Sequence, residues 1–149
     1  MDFETLDAIA DAYIPLLAII FFIGLTVSAV MVLKDRQFLR RVFVFFASLL
    51  GIAYGFMFLD NTFHLWPYVN LDYSTHTAVS LTLVIANCLL ARQFWKLIIS
   101  SFILYVLLML YQKYHTVLDI FSTAIPIVLI ALVLIKLLSL REKNEALLK

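Results

Sequence analysis

Glycine and proline are scarce: the 149-residue chain has three of each. That scarcity excludes collagen-like and low-complexity architectures and leaves little room for long loops or a second domain. The single cysteine, Cys88, lies inside an apolar run, so no internal disulfide can form and cysteine usage says nothing about redox compartment. Charge is sparse as well. Only 14% of residues are charged, the net charge is +1, and 64% are hydrophobic with a mean hydropathy of +1.03. A soluble globular domain is roughly half apolar, and nucleic-acid binding needs a clustered basic face, so both classes are excluded. Met1 to Ala12 holds Asp2, Glu4, Asp7 and Asp11 without a Lys or Arg, so it lacks the cationic n-region of a signal peptide. No internal repeat occurs.

What the chain has is apolar runs of membrane-spanning length. A span needs about twenty apolar residues, or about 30 Å of helix. The runs predict an all-α integral membrane protein, one domain over 1–149, with five transmembrane helices near 13–33, 42–59, 74–91, 97–111 and 117–138. Leu6, Ile9, Ala10 and Tyr13 fall at helical spacing and predict a short interfacial N-terminal helix. Ser74 or Thr75 is expected to cap the third helix. Pro126 is placed to kink the fifth, with Ser122 and Thr123 available to the freed carbonyls. Mid-span Asn87 is expected to hydrogen-bond across helices.

Five spans put the chain ends on opposite sides, and the cations choose between them. One side collects Lys34, Arg36, Arg40, Arg41, Arg92, Lys96, Lys136, Arg141, Lys143 and Lys149, ten of the eleven; the other has Lys113 alone. The positive-inside rule then gives N-terminus out and C-terminus in. His64, His76 and His115 fall on the outer face with Asp60, Asp72 and Asp119. The compact size suggests a bacterial plasma membrane, with the site facing the periplasm or exterior.

Two polar knots interrupt the apolar pattern on that face. One is Lys113-Tyr114-His115-Thr116-Val117-Leu118-Asp119, the other Asp72-Tyr73-Ser74-Thr75-His76-Thr77. If the helix starts near His115, then His115 and Asp119 share a face of its first turn, and the carboxylate can fix the imidazole tautomer. Such a set suits two-step phosphoryl transfer: His115 attacks phosphorus, Asp119 orients its ring, and His76 serves as acid and then base. Helix N-termini can hold phosphate oxygens. Asp72 either orients His76 or caps the third helix.

The knots resemble a known family. Tyr73-Ser74-Thr75-His76-Thr77 is similar to the Ser-Gly-His-Thr motif, and His115 to Asp119 to the His-x-x-x-Asp motif, of the type 2 phosphatidic acid phosphatase superfamily. The likeness is closer to its sphingomyelin-synthase-related branch, with Tyr-Ser-Gly-His-Thr, His-Tyr-Thr-x-Asp and an Arg-Arg-x-Phe-Leu-Ile segment that Arg40 to Phe45 resembles. The resemblance implies catalytic roles for His76, His115 and Asp119, a lipid-phosphate or phospho-headgroup substrate, and no cofactor. Lys113, Ser74, Thr75, Tyr114 and His64 are the substrate-binding candidates. The chain departs from the phosphatases in lacking their Lys-x6-Arg-Pro motif at the outer end of the second span, where Leu59 to Pro67 holds no cation. Leu108-Met109 replaces their Ser-Arg pair. The expected partners are phospholipid substrate and membrane lipids, with homo-oligomerisation open and no nucleic acid. Two other readings use the same residues: a zinc site built from His64, His76, His115 and an Asp, and a non-catalytic scaffold or lipid-binding protein.

Overall fold

In the computed structural model, which describes residues 3–30 and 36–140, every long element is a helix. The order is α1 (Phe3–Val30), α2 (Arg36–Phe63), α3 (Thr75–Leu90), α4 (Trp95–Tyr111) and α5 (Val117–Leu137), with short 3₁₀ turns at Pro67–Val69 and Arg92–Phe94. Four helices are long and apolar enough to cross a membrane; α3, with 16 residues, is shorter. In those four, the most apolar windows are only 11% to 28% buried. Their remaining apolar surface, including Ile23, Phe58, Leu104 and Leu132, therefore faces outward as lipid-facing helices do.

The short helix is the hub. α3 packs against each of the other four, while α4 and α5 scarcely touch. Its side chains are buried on nearly every face, from Thr77 to Leu90. Polar groups so enclosed must be hydrogen-bonded, and they are. Ser80 Oγ donates to the His76 carbonyl at 2.5 Å and Thr82 Oγ1 to the Ala78 carbonyl at 2.8 Å. Asn87 Nδ2 donates to the Leu17 carbonyl on α1 at 3.2 Å, which meets the expected interhelical bond. Gly24 permits the α1 approach: a Cβ there would lie 3.0 Å from Leu90 Cδ2. On the other side, Phe45, Leu49 and Ala53 of α2 are fully buried.

Helix ends differ from expectation where the sequence has no stop signal. The N-terminal segment is not a separate interfacial helix: α1 runs through it in one piece, with Pro15 inside the helix. α2 likewise extends past both ends of the 42–59 run. By contrast, α3 starts where Ser74 Oγ accepts from the Thr77 N–H, one of the two caps anticipated. Ser122 and Thr123 do not serve Pro126: Ser122 donates to the Asp119 carbonyl and Thr123 Oγ1 accepts from the Ser74 N–H. Lys34, Arg141, Lys143 and Lys149 lie outside the described residues.

Candidate functional site at the His115 end

Three hydrogen bonds tie the α2–α3 loop to the first turns of α5 at one end. The Asp72 N–H donates to Asp119 Oδ1 at 2.8 Å. The Ser74 N–H donates to Thr123 Oγ1 at 3.0 Å, and Trp66 Nε1 to Ser122 Oγ at 3.0 Å. Asp60, buried near the end of α2, accepts from the Trp66 N–H at 2.8 Å and so shapes the first loop. The convergence of His76, His115, Asp72 and Asp119 at one end thus has direct contacts behind it.

Within this frame the roles of the two aspartates differ from the spacing argument. Thr116, extended at φ −83°, is the N-cap of α5, and it forms a capping box with Asp119. Asp119 Oδ2 accepts from both the N–H and the hydroxyl of Thr116, each at 2.7 Å, while Oδ1 holds Asp72. Both carboxylate oxygens are occupied, and Asp119 is buried. His115 lies before the cap, outside the helix, so helical spacing does not govern its side chain, although its ring and the Asp119 carboxylate still act on each other through their charges. The carboxylate nearest the ring belongs to Asp72, whose Oδ2 is 3.4 Å from His115 Nδ1.

The His115 side chain is 11% exposed. Its Nδ1 is enclosed and has no hydrogen-bond partner; the 3.4 Å contact is an ion-pair distance without hydrogen-bond alignment. Burial holds the imidazole pKa below the ordinary histidine value, opposed by the Asp72 and Asp119 charges and reinforced by nearby His76. At neutral pH the ring is therefore neutral. A proton on Nδ1, facing Asp72, leaves the lone pair on Nε2.

His76, exposed in the first turn of α3, lines two hollows. One, of about 100 Å³, is bounded by Asp11, Tyr105, Met109 and Tyr114; the other, of about 140 Å³, by Ile14, Tyr54, Thr75 and Val79. Tyr105 is 3% exposed and stacks on Tyr13 at 4.2 Å, and its hydroxyl has no partner. The start of α1 closes the rim: Asp7 Oδ1 accepts from Gln112 Nε2 at 2.5 Å and from the Tyr114 hydroxyl at 2.9 Å.

No family model, curated protein or solved structure matches this chain. What can be said of the site therefore rests on its own residues.

The remaining candidates separate by position. Tyr114 and Thr75 border the hollows beside His76. Ser74 is fully buried with its Oγ bonded to Thr77 Oγ1 at 2.8 Å, so it serves α3 rather than a ligand. Lys113 is exposed at φ 59° beside Tyr114. His64, exposed at φ 53°, ends α2. Among the described residues no three His, Cys, Asp or Glu side chains group as a metal site. Sequence reasoning left the role of Asp72 open and missed Asp7, Asp11 and Tyr105. Thr116-x-x-Asp119 was a readable capping-box signal, whereas nothing local marks the contacts of Asp7 or Asp72.

Proposed function

We propose that this chain is a membrane enzyme that hydrolyses or transfers a phosphate or phospho-headgroup of a lipid at the His115 end. The observation that carries the reading is geometric: His115 Nδ1 is enclosed 3.4 Å from Asp72 Oδ2, and His76, close enough for its charge to bear on the His115 ring, lines a small hollow with Tyr114. His115 Nε2 attacks phosphorus, forming an N–P bond as the bond to the leaving alkoxide breaks. His76 gives that oxygen its proton. Water or an alcohol then attacks phosphorus, the N–P bond breaks, and His76 takes the proton back. Asp72 stabilises the positive ring in the intermediate, and Asp119 positions the loop that carries it.

The charge around the site selects among lipid phosphates. Glu4, Asp7, Asp11, Asp60, Asp72 and Asp119 belong to this end, with Lys113 as the cation among its described residues. Each preorganised donor or cation at a phosphoryl site is typically worth about 3 kcal/mol of transition-state stabilisation. First-turn N–H groups of α3 and α5 supply part of it. A phosphodiester, with one negative charge, suits such a site better than a dianionic monoester. Under the positive-inside rule this end faces out, with the N-terminus out and the C-terminus in, at headgroup depth.

The test is a screen of lipid phosphomonoesters and phosphodiesters with the purified protein, alongside His115→Ala and His76→Ala. Turnover of a phosphodiester, abolished by His115→Ala and strongly slowed by His76→Ala, is expected. Turnover that neither substitution changes would remove both histidines from the mechanism. Absence of turnover, with orthovanadate raising the melting temperature of the wild type and not of His115→Ala, would leave a phosphate-binding protein in place of an enzyme.

A further inference from the structure

α4 and α5 are consecutive in the chain, yet they scarcely touch. Each leans on α3, and the space between them is a furrow open to the side, floored by α3 over its half toward Arg92. Three hollows mark its course. The one at the far end from His115, of about 530 Å³, shares Ile85, Cys88, Ile99 and Ile135 with a second of about 320 Å³. Phe102 links the second to a third, of about 230 Å³, that ends at Val117. The first two run from Arg92 to Phe102, about 15 Å of helical rise, or half of the ~30 Å hydrocarbon thickness.

The mouth of the furrow is charged. Arg92 lines it together with Trp95, and Lys96 Nζ sits 5.8 Å from the Trp95 ring centroid. Among the described residues neither cation has a carboxylate in ion-pair reach. We propose that this furrow binds one phospholipid of the leaflet on the Arg92 side, with an acyl chain lying along Ile99 and Ile135 and an anionic phosphate headgroup on Arg92 and Lys96. An apolar trough of one-leaflet depth fits a chain, and Arg92 at its mouth with Lys96 beside Trp95, neither in ion-pair reach of a carboxylate among the described residues, favours a headgroup with net negative charge. The site is separate from His115 and stands whether or not that end is catalytic.

The test uses the protein reconstituted in phosphatidylcholine vesicles containing a small fraction of phospholipid brominated high on its acyl chain, as either phosphatidylglycerol or phosphatidylcholine. The readout is quenching of the Trp95 component of fluorescence, isolated by comparison with Trp95→Phe. Brominated phosphatidylglycerol is expected to quench at a several-fold lower mole fraction than brominated phosphatidylcholine. Arg92→Gln should abolish that difference, while Arg40→Gln, an exposed cation off the furrow, should leave it. Equal quenching by the two lipids would overturn the proposal. So would an equal loss in both variants, since general surface charge would then account for the preference.

Discussion

At His115 two effects compete for the proton. Enclosure of the ring disfavours its charged form, while Asp72 at 3.4 Å and the more distant Asp119 favour it; enclosure wins, and the pKa lies below the usual histidine value near 6.5. The sign has two consequences. A folded-state pKa below the unfolded one means that the unfolded chain binds more protons in mildly acid solution. The contribution to stability is thus complete above the unfolded pKa and is lost as pH falls through it toward the folded pKa. For catalysis, the fraction of neutral nucleophile stays high into mildly acid solution, so the acid limb of the rate profile lies below pH ~6.5. Asp72→Asn removes the largest effect that raises this pKa. We expect the acid limb to move lower still while the rate at neutral pH falls about tenfold or more, as the intermediate loses its counter-charge. A pH profile of kcat for wild type and Asp72→Asn checks both; an acid limb that moved upward would contradict this electrostatic balance.

At the scale of the helix, α5 depends on its first turn. Thr116 and Asp119 satisfy each other's backbone N–H groups, and Asp119 also holds the α2–α3 loop through Asp72. Thr116→Ala is expected to cost about 1 kcal/mol. Asp119→Ala should cost about 2–3 kcal/mol, because three part-buried donors lose a charged acceptor and α5 loses its capping box. Thermal unfolding in detergent measures both. If Asp119 works through the cap, Thr116→Ala will reproduce part of the activity lost in Asp119→Ala; full activity in Thr116→Ala would return Asp119 to direct chemistry. The same turn explains which parts of the protein could be read from sequence. α3, α4 and α5 lie within two residues of the expected 74–91, 97–111 and 117–138 because polar breaks such as Ser74 and Thr116 interrupt the apolar runs there. The start of α1 and both ends of α2 are polar or charged but hold no Gly or Pro, so the helix continues through them, and apolar length gave no reason to extend them. Helical spacing begins at Val117 and His115 lies outside it, so the charge interaction of His115 with Asp119 does not come from a shared helical face. The ring's neighbour Asp72 comes from a different loop, a contact that only the packing of α3 against α5 creates.

For the whole molecule, helix packing restricts how the chain can sit in a membrane. Asp7 meets Tyr114 at 2.9 Å, placing the start of α1 at the same end as the α4–α5 loop. Arg41 Nη1 reaches the Leu138 carbonyl at 3.4 Å, placing the start of α2 beside the end of α5 at the other end. Arg36, Arg40, Arg92 and Lys136 accompany Arg41 there, whereas Lys113 belongs to the His115 end. Acidic residues contribute little to orientation, so the carboxylates around His115 do not offset this asymmetry. A reporter that is active only after export should therefore be inactive when fused after Lys149 and active when inserted in the turn at Pro67–Val69. Replacing Arg36, Arg40 and Arg41 by Gln while adding three lysines to that turn should weaken or reverse the pattern, whereas Asp7→Asn with Asp11→Asn should leave it unchanged. Export of the Lys149 fusion in the unaltered chain would turn the His115 end inward, and the lipid it meets would then be that of the opposite leaflet.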